Sequence, residues 1–433
     1  MSTQVTTCYS ILLLILFSAA VQAELVNHID RDNAKELVAA GDCVACHTSN
    51  GGKPFAGGLK MSTPIGNIYS TNITPDKETG IGDYNYEEFE KALREGVAKD
   101  GHYLYPAMPY TSFAKIDDGD MHLLYDYFMS QVEPVTQQNR DSDIPFPLNI
   151  RWPLALWNMI YQDRTRYNPD PIQGKEWNRG AYLVQGLGHC GSCHTPRGIA
   201  FQEKASDQHN DVFLTGGTLE GWNAPNLTGN MKNGLGRWSV EEIEQFLKTG
   251  QTAYSAAFGS MTDVIEHSTQ YLSKADLRAI AVYLKTLKSS EPSSKTPEVN
   301  EISTLSLMKG DLSPLGAREY LDNCSACHRV DGEGYANTFP SLAHNSAVLS
   351  NDPTSLISIT LKGGKMPVTQ DKPTGLTMPG FAWRMDDEQI ARVLTFIRSS
   401  WGNDASPLSA EDVQTIRKNI TPDELKTQPT LVP

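Results

Sequence analysis

The chain has 433 residues, with 37 basic and 51 acidic side chains and a formal net charge of −14. This excess of negative charge disfavours nucleic acid and anionic lipid headgroups as partners, so we predict no nucleic-acid binding. Six of the seven cysteines fall in three short motifs, which leaves no pairs elsewhere for a disulfide framework.

The N-terminus predicts a secretory signal peptide over residues 1–23. Residues 11–17 are continuously apolar, and the small residues Val21 and Ala23 precede Glu24 as a cleavage site. The segment before the apolar run has no Lys or Arg, which departs from the usual pattern, and it contains the seventh cysteine, Cys8. The run is well short of the ~20 residues that a membrane-spanning helix needs. We therefore expect cleavage after Ala23 and a mature chain outside the cytoplasm.

Three stretches share the spacing Cys-x-x-Cys-His. They are Cys43, Cys46 and His47; Cys190, Cys193 and His194; and Cys324, Cys327 and His328. Two cysteines at this spacing lie about one helical turn apart, so each can form a thioether with one haem, and the next residue can reach the iron. A zinc site would need a second ligand pair, and a thioredoxin-like dithiol does not require the histidine. The motifs therefore predict three covalently attached c-type haems.

The same order of elements surrounds each motif, which indicates an internal repeat. Helical patterns lead into the cysteines at residues 33–40, 180–185 and 316–322. A Gly-rich loop with proline follows, and then a short helix that ends at a glycine, at residues 89–96, 243–250 and 356–363. Apolar-periodic helices close the units at residues 118–129, 274–287 and 387–399. The pattern predicts a mostly α protein.

These elements divide the mature chain into three units and their connections. The first, second and third units are predicted at residues 24–133, 177–288 and 313–403. Residues 289–312 are rich in Ser, Pro, Glu, Thr and Lys and are predicted to be a flexible linker. Residues 404–433 form a C-terminal tail, in which Ser409 is expected to cap a short helix to about Lys418.

The connector between the first two units, residues 134–176, is rich in aromatic and apolar residues. They are Phe146, Leu148, Ile150, Trp152, Leu154, Leu156, Trp157, Met159, Ile160 and Tyr161. The segment either packs between the two units or presents a face to a partner subunit or a membrane surface, and the sequence leaves both alternatives open.

A methionine precedes the closing helix of each unit and is a candidate for the second axial ligand of the iron. These residues are Met108, Met261 and Met378. A thioether ligand occupies the remaining coordination position of the iron and favours its ferrous state. Met366 competes in the third unit, but it follows Gly363 by only three residues, whereas Met378 follows it by fifteen. The distance in the other units is 12 and 11 residues, from Gly96 to Met108 and from Gly250 to Met261, so the spacing favours Met378.

This order of helix, haem motif, loop, helix, methionine and helix resembles the class I cytochrome c fold. The resemblance implies three tandem domains of that fold, in which the first and last helices cross and the haem fills the core. It also implies that each ligating histidine donates its second ring N–H to a proline carbonyl. Pro64, Pro225 and Pro340 are the matching positions. Six further histidines outside the motifs are expected to be ordinary surface or loop residues: His28, His102, His122, His209, His267 and His344.

A more specific resemblance covers essentially residues 24–403. It rests on residues 70–76 (Ser-Thr-Asn-Ile-Thr-Pro-Asp) with 80–82, residues 222–228 (Trp-Asn-Ala-Pro-Asn-Leu-Thr) with 234–239, and residues 378–381 (Met-Pro-Gly-Phe) with 400–403. These stretches are similar to the triheme cytochrome c subunit of bacterial membrane-bound alcohol, gluconate and sorbitol dehydrogenases. The resemblance implies a periplasmic location at the inner membrane, a large flavin- or quinone-dependent dehydrogenase partner with a small third subunit, and ubiquinone as acceptor.

Three closed haems would leave no iron free for a substrate, so we expect electron transfer and no catalytic residue in this chain. The chain has no Gly-x-Gly-x-x-Gly fingerprint after a strand, which argues against a substrate-oxidising flavin or nicotinamide subunit. A stand-alone periplasmic electron shuttle or an oxidase cytochrome subunit would carry the same haems. A haem enzyme such as a peroxidase would instead need one iron with an open position.

Overall fold

The computed structural model describes residues 31–219, 221–291 and 295–420. The predicted signal peptide and the tail beyond residue 420 lie outside this part of the chain. Within it the fold is mostly helical, with three short antiparallel hairpins. No helix in these ranges is both long and apolar enough to cross a lipid bilayer.

From residue 31 onward, where the described part of the chain begins, the first unit has five helices and one hairpin. The helices are α1 (31–40), α2 (Cys43–Cys46), α3 (Tyr86–Glu95), α4 (Tyr110–Phe113) and α5 (Asp118–Ser130). Strands β1 (Lys60–Thr63) and β2 (Gly66–Tyr69) pair in the loop after the haem motif, with Lys60 opposite Tyr69. Asn85 begins α3 with a reciprocal capping box to Glu88. The helix ends at Gly96, whose φ of 64° is the left-handed conformation that glycine accommodates.

The connector contributes one helix, α6 (Pro153–Tyr161). The Tyr110 hydroxyl donates to Asn158 Oδ1 at 2.7 Å, and Trp157 Nε1 donates to the Ala200 carbonyl at 2.8 Å. These bonds tie α6 to both neighbouring units. Apolar side chains on its other side are exposed, including Trp152, Leu156, Met159 and Ile160. The connector therefore packs between the first two units and also presents an apolar surface.

The second unit repeats the order of the first. Its elements are α7 (Lys175–Gln185), α8 (Gly191–His194), β3 (Gly217–Leu219), β4 (Trp222–Ala224), α9 (Val240–Thr249), α10 (Ser260–His267), a 3₁₀ turn at Thr269–Tyr271 and α11 (Lys274–Thr286). Helices α7 and α11 cross at Gly180, where a Cβ atom would lie 1.9 Å from the Ala279 carbonyl oxygen. Only glycine allows this approach.

The third unit has the same crossing. Its elements are α13 (Ala317–Asn323), α14 (Ser325–His328), α15 (Ser346–Leu349), α16 (Thr354–Lys362), β5 (Gly364–Lys365), β6 (Thr377–Met378) and α17 (Asp387–Ser399). A Cβ atom at Gly316, which precedes α13, would lie 2.2 Å from the Arg392 carbonyl oxygen on α17. The closing helix is bounded as the sequence predicts, and Asp386 and Gln389 form a capping box at its start.

Part of the predicted flexible linker is helical. Helix α12 (Ile302–Met308) lies within residues 289–312, and its Leu307 is buried in the core of the third unit. The polar composition of the segment conceals these few apolar residues. In the tail, Ser409 caps α18 (Ala410–Asn419), in agreement with the prediction, and Val413 is buried in the same core.

Two apolar cores hold the units together. One core runs without a break through the first and second units and includes Leu37, Phe113 and Phe128 with Leu183 and Leu277. The other belongs to the third unit with α12 and α18. The first two units are therefore joined by shared apolar packing, whereas the third keeps a core of its own.

Candidate haem-binding sites

Each motif histidine is oriented by one hydrogen bond between its Nδ1 atom and a backbone carbonyl. The distances are 2.7 Å from His47 to Thr71, 2.7 Å from His194 to Pro225 and 2.9 Å from His328 to Pro340. Because a carbonyl oxygen can only accept, Nδ1 carries the proton and Nε2 keeps its lone pair. Burial also lowers the pKa of all three imidazoles, which favours the neutral form that coordinates a metal.

The carbonyl partners agree with two of the three proline predictions. Pro225 and Pro340 accept the bond as expected, but Pro64 does not, because Thr71 takes this place in the first unit. In both of the first two loops the following residue is asparagine. Its Oδ1 accepts from the backbone N–H two residues later, at Thr74 and at Thr228. Loop position therefore selects the acceptor, and the shared Asn-x-Thr pattern is the signal that would have identified Thr71.

The first cysteine of each motif lies in a desolvated place. Burial is the main cause that raises the pKa of Cys43, Cys190 and Cys324 to about 12. Burial therefore disfavours the thiolate form that a redox dithiol uses as its nucleophile. None of the six motif cysteines forms a disulfide. Their setting is compatible with thioether attachment.

The third set of predicted ligands converges on one cleft. Cys324, Cys327, His328 and Met378 all line it, together with apolar residues such as Ile359 and Phe381. Met366 also reaches this cleft, but its sulfur accepts a hydrogen bond from Gln251 Nε2 at 3.2 Å. Met378 lies in the short strand β6, where it pairs with Gly364.

The wall of this cleft is completed by the second unit. Ala256, Ala257 and Phe258 line it from the loop that leads to Met261. The adjoining Ser341 donates its backbone N–H to the Tyr254 carbonyl at 3.0 Å. The candidate site of the third unit is therefore built from two units.

The other two methionines lie in different settings. Met108 packs against the apolar core that also contacts Cys43 and Cys190. Met261 is in the first turn of α10, is half-buried, and does not belong to that set of packed residues. Helix α10 contacts the first haem motif at α2.

One residue that the sequence analysis did not consider joins the first two motifs. His189 precedes Cys190, and its Nε2 atom lies 3.4 Å from the carbonyl oxygen of Gly41, two residues before Cys43. Its ring packs edge-to-face on Phe113, with centroids 5.7 Å apart. A Cβ atom at Gly41 would lie 3.3 Å from Leu187, so the two motif entrances are in contact. His189 thus links the second motif to the first through a contact between units, and nothing local in the sequence indicates this contact.

Asp42, next to the first motif, is the second feature that sequence reasoning missed. It is 7% exposed, and its Oδ1 atom has no hydrogen-bond partner. Burial, with a smaller contribution from Asp263, raises the pKa of this carboxyl to about 8. A buried carboxyl without a partner prefers its neutral form.

The residues of these three motifs suit a c-type haem. Each supplies a cysteine pair and an imidazole whose Nε2 is available to an iron, and the third supplies a converging thioether as well. This fit rests on the donor set and its hydrogen bonds.

Comparison with known proteins agrees with this chemistry. Residues 178–288 and 314–401 match the family described as Cytochrome c. The chain is 50% identical over 421 residues to the gluconate 2-dehydrogenase cytochrome c subunit of Pantoea cypripedii, which covers 95% of this chain and 96% of that protein. It is 46% identical over 385 residues to the cytochrome c subunit of the alcohol dehydrogenase (quinone) of Gluconobacter oxydans, covering 88% and 80%. It is 38% identical over 402 residues to the fructose dehydrogenase cytochrome subunit of Gluconobacter japonicus, covering 88% and 81%. The chain belongs to the family of cytochrome c subunits of bacterial membrane-bound dehydrogenases, which transfer electrons.

Proposed function

We propose that the chain carries electrons through three c-type haems from a flavin- or quinone-dependent dehydrogenase to ubiquinone, at the periplasmic face of the inner membrane. The single observation that supports this most directly is the repeated arrangement in which a Cys-x-x-Cys-His histidine donates Nδ1–H to a loop carbonyl. It occurs three times, including in the first unit, which the family model does not cover.

The first unit shares further detail with the second. The Ile81 N–H donates to the Thr74 carbonyl at 2.9 Å, and the Leu235 N–H donates to the Thr228 carbonyl at 2.8 Å. Both loops lead into a helix with a capping box. These parallels support three tandem domains.

In this mechanism the residues hold, orient and shield the cofactor. Each cysteine pair would anchor a haem covalently, and His47, His194 and His328 would each supply one ligand to its iron. Met108, Met261 and Met378 would each supply a second. A c-type haem, when bound, provides an iron that accepts one electron and passes it on. With a histidine and a methionine of the chain on each iron, no position would remain for a substrate, so bond chemistry would belong to the partner.

The arrangement of the units supports passage in series. The second unit contacts the first through α10, α2 and His189, and it forms part of the third unit's cleft through residues 256–258. The second unit therefore lies between the other two. The proposed partner is taken from the names of the relatives. It is a dehydrogenase that oxidises a sugar acid, a polyol or an alcohol, together with a small additional subunit.

Axial ligation is tested with Met108→Ala, Met261→Ala and Met378→Ala in the full haem-loaded chain. Each substitution should remove the low-spin methionine signature of one haem in optical and magnetic circular dichroism spectra. Met366→Ala is the matched control and should leave all three signatures in place. Loss of a signature in the control, with none lost in Met378→Ala, would reverse the assignment in the third unit.

The partner is tested by purifying the chain from membranes. We expect the chain to copurify with a large flavin- or quinone-containing dehydrogenase. The measured mass of the chain itself should include three haems. A soluble chain recovered alone, with full haem content, would contradict the dehydrogenase-subunit function.

A further inference from the structure

The haem motif of the second unit is in contact with a carboxyl group. Glu203 Oε1 accepts a hydrogen bond from Ser192 Oγ at 3.1 Å, and a Cβ atom at Gly191 would lie 2.5 Å from Glu203 Oε2. Gly191 and Ser192 are the two residues between Cys190 and Cys193. The glycine therefore lets the carboxyl pack directly on the backbone that would carry a haem.

A short loop holds Glu203 in this place. Arg197 and Glu203 face each other in an antiparallel bridge, and the Lys204 N–H donates to the Pro196 carbonyl at 2.9 Å. Pro196 follows the motif histidine by only two residues. Backbone hydrogen bonds thus fix the position of the carboxyl relative to the motif.

The corresponding positions of the other two motifs are different. The first motif has Val44 and Ala45 between its cysteines, and neither side chain can form a hydrogen bond. In the third motif Ser325 Oγ donates to the Leu321 carbonyl of the preceding helix at 2.8 Å. The hydrogen bond from the motif to a carboxyl is therefore a feature of the second unit.

Two cations act on this carboxyl, and both are hydrogen-bonded to other groups. Arg197 donates from Nη1 to the Phe201 carbonyl at 2.7 Å and from Nη2 to the Ser192 carbonyl at 2.6 Å. Lys115 Nζ donates to Gln185 Oε1 at 3.0 Å. Their positive charges are shared with these acceptors, so they offset the negative charge of the carboxyl only in part.

The electrostatics of Glu203 and of the motif are coupled. Burial raises the pKa of Glu203, while the two cations and the bond from Ser192 lower it by less. Burial also raises the pKa of the Cys190 thiol, and the charge of Glu203 adds to that rise. The carboxyl therefore interacts electrostatically with the side chain to which a haem would be attached.

Glu203 also faces a cavity of about 340 Å³ between the first unit, helix α6 and the second unit. Most of the residues that line this cavity are polar or charged. Besides the two cations, the titratable side chains around it are Tyr161, Asp163, Lys204, Asp207 and His209. A polar cavity of this size has room for water, which gives the carboxyl a route for proton exchange with solvent.

A carboxylate beside a haem favours the higher positive charge of the iron. Ionised Glu203 would stabilise the ferric state over the ferrous state and lower the reduction potential, whereas the protonated carboxyl would not. The coupling is reciprocal, because the gain of an electron makes a nearby carboxylate easier to protonate.

We propose that Glu203 sets the reduction potential of the second haem and takes up one proton when that haem gains an electron. The electron converts ferric iron to ferrous iron, and the proton passes from solvent through the cavity to a carboxylate oxygen. Reoxidation releases both. This inference rests on the proposed function, since it requires a haem on Cys190 and Cys193.

The test measures reduction potentials, and not turnover, in the full haem-loaded chain. A redox titration followed by haem absorbance should resolve three one-electron transitions. Glu203→Gln keeps the shape of the side chain and an oxygen that accepts from Ser192, but it removes the charge. Glu176→Gln, at an exposed carboxyl of α7 that pairs with Arg278, is the matched control. Haem content and thermal unfolding verify that each variant is loaded and folded.

We expect Glu203→Gln to raise one of the three potentials at about pH 8, so that the ferrous-to-ferric ratio of that haem at a fixed applied potential rises at least about threefold. Glu176→Gln should leave all three potentials unchanged. In the unsubstituted chain the same potential should fall as the pH rises from about 6 to about 9, because the carboxyl ionises, and Glu203→Gln should lose this fall.

Ser192→Ala provides a readout that a purely structural role would not affect. It keeps the carboxyl but removes a hydrogen bond that lowers the pKa of Glu203, so the fall in potential should remain and move to higher pH. If folded and fully loaded Glu203→Gln has unchanged potentials, or an equally steep pH dependence, the inference is wrong. If mass spectrometry finds no haem on the peptide with Cys190 and Cys193, the three-haem part of the proposed function itself fails.

Discussion

The contact between the first and second units differs in kind from the contact between the second and third. The first contact is a continuous apolar core, to which Phe113 and Leu183 both belong. The second contact is largely polar and uses backbone groups. Ser355 Oγ accepts from the Asn223 N–H at 2.8 Å and donates to the Asn223 carbonyl at 2.9 Å. Glu266 Oε1 accepts from the Val368 N–H at 2.6 Å.

This difference indicates how the chain should unfold. Shared apolar packing makes two units lose stability together, because neither retains a complete core alone. Hydrogen bonds across a polar contact contribute less each, and the third unit keeps its own core. We therefore expect one transition for the first and second units and a separate one for the third.

The largest expected effect comes from the helix crossings. Gly180→Val would place side-chain atoms against the Ala279 carbonyl and should destabilise the first and second units together by more than about 4 kcal/mol. Gly316→Val is the matched change in the third unit, where the φ of 86° adds backbone strain. Calorimetry with limited proteolysis should show that Gly316→Val removes only the transition of the third unit. Loss of all transitions in Gly316→Val would show that the third unit is not separate.

A smaller effect is expected from Phe113→Ala, within the shared core. Phe113 is 6% exposed and contacts His189 of the next unit, so truncation should cost about 3–5 kcal/mol. The transition of the first two units should move as a whole in a denaturant titration. Phe146→Ala, at a phenylalanine that is 79% exposed, should change stability by no more than about 0.5 kcal/mol. A Phe113→Ala variant in which only the first unit loosens would disprove the shared core.

The polar contact is tested by Ser355→Ala. The substitution leaves the Asn223 N–H and carbonyl without their partner, at a cost of about 1–3 kcal/mol to docking of the third unit. The third transition should shift to lower temperature while the first stays in place. Ser399→Ala, on an exposed serine of α17, is the control and should shift neither. An equal shift of both transitions would mean that the three units unfold as one.

The smallest expected effect is the pH dependence of Asp42. Its pKa is raised from 3.8 to about 8 in the folded chain, so the folded state holds a proton that the unfolded state releases. The stabilisation is therefore present in full below about pH 4 and is lost as the pH rises toward 8. Asp42→Asn should remove this slope and be more stable than the unsubstituted chain at pH 8 by at least about 1 kcal/mol.

The difference between the two contacts makes the predicted pH dependence of Asp42 more specific. The slope should appear in the transition of the first and second units, since Asp42 lies there, and be absent from that of the third. Thermal unfolding from pH 4 to pH 8 measures both. A slope that persists in Asp42→Asn would assign it to another group.

Local signals in the sequence predicted much of the fold. The closing helix at 387–399 could be bounded because a capping aspartate and an apolar period both act within a few residues. Ser409 was identifiable as a cap for the same reason. The motif histidines follow from covalent spacing, and two of their three carbonyl partners follow from the loop prolines.

Features that depend on contact between units could not be predicted in this way. His189 is significant only because Gly41 lies opposite it, and the carboxyl of Asp42 is influenced by Asp263 of the second unit. Helix α12 was not predicted because it is stabilised by the packing of Leu307 on the third unit. The polar composition of the segment gives no local sign of that contact. The first unit's acceptor, Thr71, was missed because residue type was used in place of loop position.

The loop at residues 256–258 has a consequence for engineering and for gene rearrangement in this family. This loop lines the cleft of the third unit. A third domain transplanted from a relative would therefore pack against a non-matching loop unless the relative's own loop were transferred as well. A domain boundary placed in the linker would put residues that line the same cleft into two different domains. Chimaeras should therefore exchange the third domain together with this loop of its neighbour.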